Sequence, residues 1–136
     1  MALLAAMTAG AAEPPSLEIS IAGLRSPRGN ILICLTANAK AFPNCAKDAQ
    51  ARKMIVAAAG AAKVRFSDLV PGIYAIALIH DENGNGRMDA ALFVPREGFG
   101  FSRNAVARFG PPKFAAAQFG IALGENIQAI KVKYLL

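Results

Sequence analysis

The residue types that carry most enzyme chemistry are scarce in this chain: one histidine, two cysteines, and nine acids against fifteen bases in 136 residues. His80, the single histidine, stands beside Asp81 but lacks the third group that would orient it as a base for a nucleophile. Ser102 follows Gly100-Phe101 without the G-x-S-x-G elbow that exposes a serine. Asp81 and Asp89 form a candidate carboxylate pair, yet their spacing favours hydrolysis no more than metal ligation or plain solvation. Cys34 and Cys45 are not a C-x-x-C pair, which excludes the usual redox motif and gives no zinc signature. No apolar run reaches the roughly 20 residues of a spanning helix, so a membrane-spanning protein is not expected. The bases are scattered (Arg25, Arg28, Lys40, Lys47, Arg52, Lys53, Lys63, Arg65, Lys131, Lys133) with no dense run and no aromatic interleaving, so nucleic acid is not an expected partner. Helical periodicity is almost absent, and no internal repeat is visible.

What remains is a short, apolar, basic chain that fits one domain and can bury roughly two-thirds of its unfolded surface. Residues 1–12 carry no charge and end in Thr8-Ala9-Gly10-Ala11-Ala12 before Glu13-Pro14-Pro15. Small residues at those places mark the apolar core and cleavage end of a secretory signal. The usual basic start is missing, which places Met1 inside a longer signal, with residues 13–136 as the mature domain. Export to a periplasmic or secreted location agrees with an even cysteine count and a Cys34–Cys45 disulfide. Closing that loop would stabilise the fold by about 2–3 kcal/mol; two buried free thiols are the alternative. The net charge of +6 favours anionic envelope surfaces.

The order of elements reads as all-β. Leu17, Ile19 and Ile21 alternate with polar residues, a half-buried strand of period two. Residues 30–37 alternate likewise, and across the Gly23 to Gly29 turn a β-hairpin is the economical expectation. Residues 39–52 read as a loop with one short helical turn. Two strands are expected around Gly60, at 53–59 and 61–66. The strongest strand, 73–80, is apolar on both faces and so central. Residues 114–119 suit a short helix or an edge strand. A last strand over 126–136 turns Ile130, Val132, Tyr134 and Leu136 inward and Lys131 and Lys133 outward. About seven strands with regular turn signals predict a single antiparallel β-sandwich, with a long ordered loop after the central strand.

That loop opens on Asp81-Glu82-Asn83-Gly84-Asn85-Gly86-Arg87-Met88-Asp89. Oxygen-bearing side chains at alternate positions, then glycine, then another carboxylate, suit a hard cation that needs converging oxygens from a sharply turning backbone. The expected calcium ligands are Asp81, Asn83, Asn85, the carbonyl of Arg87, and Asp89. An EF-hand would close with a bidentate Glu where Leu92 stands, so a further ligand from Glu97 or Glu82 is needed. The competing reading is a solvated hairpin, because Asn83-Gly84 and Asn85-Gly86 are each favoured two-residue turns. Residues 81–113 are too long for an idle loop and carry Phe93, Phe99, Phe101 and Phe109, with Phe114 just beyond. Either His80, Glu97, Phe99 and Phe101 help to present this loop to an envelope protein, peptide or glycan, or the rings are core beneath it.

Several of these stretches together carry a resemblance. Residues Phe66-Ser67-Asp68-Leu69-Val70-Pro71-Gly72-Ile73-Tyr74-Ala75, the His80 to Asp89 run, Val94-Pro95-Arg96-Glu97-Gly98-Phe99-Gly100-Phe101-Ser102 and Gly110-Pro111-Pro112-Lys113-Phe114 resemble the signature of exported bacterial proteins known as domain of unknown function 2141. The Pro-Gly-x-Tyr turn into a strand is also similar to transthyretin-like (prealbumin-like) and carboxypeptidase-regulatory-like sandwiches. The resemblance implies a small exported β-sandwich and no specific activity. The expectation is therefore a binding or structural module without catalysis, with calcium in the 81–89 loop as its only candidate cofactor. A small envelope hydrolase centred on His80 and Asp81 is the alternative.

Overall fold

The computed structural model describes residues 13–86, 90–91 and 94–135. The segment expected as a signal, residues 1–12, lies outside them, as do Arg87, Met88, Asp89, Leu92, Phe93 and Leu136. The strands are β1 (Ser16–Ala22), β2 (Asn30–Thr36), β3 (Arg52–Ala57), β4 (Lys63–Phe66), β5 (Gly72–Asp81), β6 (Ala90–Ala91), β7 (Val94–Pro95), β8 (Gly98–Phe101), β9 (Phe119–Ile121) and β10 (Glu125–Lys131). One helical turn, α1 (Phe114–Ala117), precedes β9. A three-stranded sheet runs β10-β1-β4, and a five-stranded sheet runs β3-β2-β5-β8 with β9 also on β5. A small β6-β7 ladder sits between β5 and β8 in the chain. The molecule is an all-β sandwich, and the long segment after the central strand contributes β8 to the five-stranded sheet.

Period-two alternation fixes which side chains face the space between the sheets. Leu17, Ile19 and Ile21 of β1 oppose Ile31, Ile33 and Leu35 of β2, and Val64, Phe66, Ile76, Leu78, Ile130 and Val132 complete one buried cluster. The expected β1–β2 hairpin does not form: β1 pairs with β4 and β10, while β2 pairs with β3 and β5. Both strands need to turn an apolar face toward the same core, so they stand on opposite walls of it. The connection between them crosses the roughly 10 Å between sheets. One pairing departs from the antiparallel pattern, since β1 and β10 run parallel.

A second core lies on the outer face of the five-stranded sheet. Ala77 is opposite Phe101, and Ile79 is opposite Phe99, across the β5–β8 ladder. Phe99 and Phe101 therefore point away from the main core, where they pack with Phe42, Ala75, Ala77 and Ala117. The Phe42 ring meets Phe101 and Phe114 edge-on, with centroids 6.1 and 5.9 Å apart, the arrangement that ring quadrupoles favour. The loop carrying Phe42 is clipped to β2 by the Cys34–Cys45 disulfide, with Cα atoms 5.6 Å apart. Ser102 is fully buried just after β8. Its hydroxyl accepts from the Ile76 amide at 2.9 Å and donates to the Ala117 carbonyl at 2.5 Å.

Candidate functional site

The end of β5 delivers His80 and Asp81, both with no exposed surface, to the base of the Asp/Asn/Gly loop. His80 Nε2 lies 2.7 Å from the Arg28 carbonyl, and its Nδ1 lies 2.6 Å from the Tyr134 hydroxyl. A carbonyl only accepts, so Nε2 carries the proton; in the neutral ring Nδ1 then accepts from Tyr134. The Tyr134 oxygen in turn accepts the Arg25 amide at 3.1 Å, and the Arg25 guanidinium lies 4.3 Å from the ring centroid. Burial pushes the Tyr134 phenol above its ordinary pKa, in keeping with a hydroxyl held as a donor. His80 thus bonds to the β1–β2 connection and to the C-terminal segment.

Glu82 faces the other way from the turn. Its Oε1 accepts from Arg25 Nε at 2.8 Å, and its Oε2 accepts from the Ser26 hydroxyl at 2.9 Å and from Arg28 at 3.4 Å. The Arg25 hydrogen bond is the main cause that holds its carboxyl below the ordinary glutamate range. Both oxygens of Glu82, a candidate for the extra cation ligand, are thus placed on the 25–28 segment. Gly29 allows this docking: a Cβ there would collide with the Asp81 carbonyl oxygen, and its φ is +69°.

Within the turn, the Asp81 carboxylate points inward. Oδ2 accepts the Gly86 amide at 2.7 Å, and the Asp81 carbonyl accepts the Gly84 amide at 3.3 Å. Oδ1 is buried and accepts no hydrogen bond from the described residues. Asn83 Oδ1 receives the Asn85 amide at 3.2 Å, while Gly84 and Gly86 have φ of +68° and +75°. The chain therefore curls around the first carboxylate with its two amide side chains on the same short turn. Arg87 and Asp89, the other expected ligands, lie outside the described residues. Among the described residues no three of His, Cys, Asp and Glu are grouped closely enough to hold a metal. Among the described residues a cation here would meet one carboxylate with amide and backbone oxygens, which is the hard-donor chemistry of calcium and unlike that of zinc.

Phe99 and Phe101 retain 7% of their surface each, and Glu97 retains 4%. Of the two readings that the sequence left open, burial favours the rings as core: Phe99 and Phe101 sit in the outer-face cluster, and His80 and Glu97 are buried as well. The residues that sequence reasoning missed are Tyr134, Arg25, Ser26 and Gly29. They reach the site from distant parts of the chain, and no local pattern marks them.

The family described as an uncharacterized protein conserved in bacteria (DUF2141) matches residues 19–129. No curated protein and no solved structure matches the chain.

Proposed function

This chain belongs to that family of uncharacterized bacterial proteins, and we propose that it acts as an exported binding or structural module whose 81–89 turn is set by calcium. One observation carries the reading. The Asp81 carboxylate is removed from water, clamped on one oxygen by the Gly86 amide and left without a donor among the described residues on the other. Burying a charged oxygen without a partner is costly, and a cation seated in the turn would offset that cost. Asn83 and Asn85 offer oxygens at the alternate spacing that calcium loops use. The non-catalytic part of the reading is supported by His80, whose nitrogens both engage partners within the fold, leaving neither for a substrate. Export is supported by the disulfide, since such bonds persist outside the reducing cytoplasm. A partner in the envelope, whether protein, peptide or glycan, would then meet a surface whose loop geometry depends on the ion.

Thermal melting with calcium, with magnesium and with chelator tests this. Sites on extracellular modules bind at about 10⁻⁴ to 10⁻³ M, so about 10 mM calcium should add roughly 1.4–2.7 kcal/mol by linkage. That corresponds to a rise of several degrees for a domain of this size. Magnesium, which demands tighter octahedral geometry, should add less. Asp81→Asn keeps the shape and removes the charge, so its melting should no longer respond to calcium. A wild-type protein that melts identically in saturating calcium and in chelator would sink the metal reading.

A further inference from the structure

A different surface points to a different kind of contact. Phe109 stands wholly in solvent, with a relative exposure of 113%, whereas every other phenylalanine whose burial is described is buried or partly buried. Its backbone is left-handed, φ +56°, and Gly110 follows at φ +143°. That region disfavours bulky side chains, so the turn holds the ring outward at a conformational cost. Pro111 and Pro112 then restrict how the chain can fold back. Val106, three residues earlier, is 57% exposed. Across residues 98–124 the sequence carries Arg103, Arg108 and Lys113 and no Asp or Glu. The start of this segment is fixed against β10, where the Arg103 amide bonds to Gln128 Oε1 at 3.3 Å and the Lys131 amide to Asn104 Oδ1 at 2.9 Å. Lys131, whose amide makes that second bond, is also exposed.

We infer that the tip at Arg108-Phe109-Gly110 docks on an anionic phospholipid bilayer. An exposed apolar side chain is ordinary when it stands alone. This one is held out by a left-handed turn, in a stretch of 27 residues whose charges are all positive. Apolar side chains such as Phe bury at the boundary of headgroups and acyl chains, and neighbouring Arg and Lys are drawn to the negative surface potential. Phe109 supplies the part that enters the interface; Arg108, Lys113 and Arg103 supply the attraction that brings it there. The inference rests on this surface alone and is independent of the calcium reading, so the experiment is run in chelator.

The chain contains no tryptophan, which makes Phe109→Trp a unique reporter at the tip. Its emission should shift to the blue on adding phosphatidylglycerol vesicles and stay unchanged with phosphatidylcholine vesicles. In co-sedimentation, Phe109→Ser should bind the anionic vesicles about tenfold more weakly than wild type, the scale of withdrawing one part-buried ring. It should melt at the wild-type temperature, because the ring is wholly in solvent. Raised salt should weaken wild-type binding. Residues 1–12 are shared by every variant and cancel in the comparison. The inference is overturned by unchanged Trp emission on anionic vesicles, by undiminished binding of Phe109→Ser, or by equal binding to uncharged vesicles.

Discussion

The imidazole of His80 is enclosed on all sides, and each of its nitrogens has one partner. Tyr134→Phe removes the hydroxyl that donates to Nδ1 and that accepts from the Arg25 amide. Leaving such groups unpaired should destabilise by about 1–2 kcal/mol, measured as a lower urea midpoint with unchanged slope. An unchanged midpoint would mean that water replaces the hydroxyl. Glu82 gives a pH signature. Its native pKa is lowered, first by the Arg25 hydrogen bond, so its contribution is full above the ordinary glutamate pKa. As pH falls through the window below that value, the unfolded chain binds the proton first and stability declines. Glu82→Gln should flatten that part of the acid limb, below the ordinary glutamate range, in denaturant melts taken at stepped pH. At this scale the sequence showed which residues could ligate but not which way they face. Asp81 and Glu82 are adjacent carboxylates; the first is turned into the loop by the nearby Gly86 amide, the second onto Arg25 and Ser26, which are distant in sequence.

β8 shows how one short strand can serve two cores. Its sequence Gly-Phe-Gly-Phe alternates, so the rings enter the outer cluster while the glycines face the C-terminal segment. A Cβ on Gly98 would collide with the Tyr134 ring and lie 2.7 Å from Val132 Cγ1. Gly98→Ala should therefore cost about 1–3 kcal/mol through overpacking, read as a loss of thermal stability. A neutral result would show that the C-terminal segment shifts freely. The same contrast explains what was legible among the elements. β1, β2 and the first part of the last strand could be read because alternation depends only on which face is buried, although β10 ends at Lys131 and not at the expected 136. Pairing could not, because period two says nothing about which strand lies alongside. The hairpin expected between β1 and β2 failed for that reason. The phenylalanines of β8 were ambiguous for a related one, since an outward face reads as surface until another layer covers it. Here that layer comes from the disulfide-clipped loop and from α1.

Taken as a whole, the sandwich is joined on one side and open on the other. Phe99 and Lys133 exchange two backbone hydrogen bonds, at 3.0 and 2.9 Å, which links β8 to the segment following β10. On the far side β3 and β4 are the outer strands of their sheets among the described residues. An open strand offers unpaired amides and carbonyls to a second molecule. β3 is also apolar there, with Ile55 68% exposed. Lys53 on β3 and Lys63 on β4 are exposed, and both stand where a charge opposes edge-to-edge pairing. Part of the net positive charge thus has a structural explanation that needs no partner. Lys53→Val should leave the melting temperature nearly unchanged, because surface changes of this kind stay within about 0.5 kcal/mol. It should nonetheless shift the protein toward higher mass in light scattering as concentration rises, since the introduced valine and Ile55 would then extend one apolar edge. Lys53→Glu keeps a charge on that strand and should remain monodisperse. If Lys53→Val also remained monodisperse across that range, the lysine would not be guarding the edge, and its charge would belong with the cations that face an anionic surface.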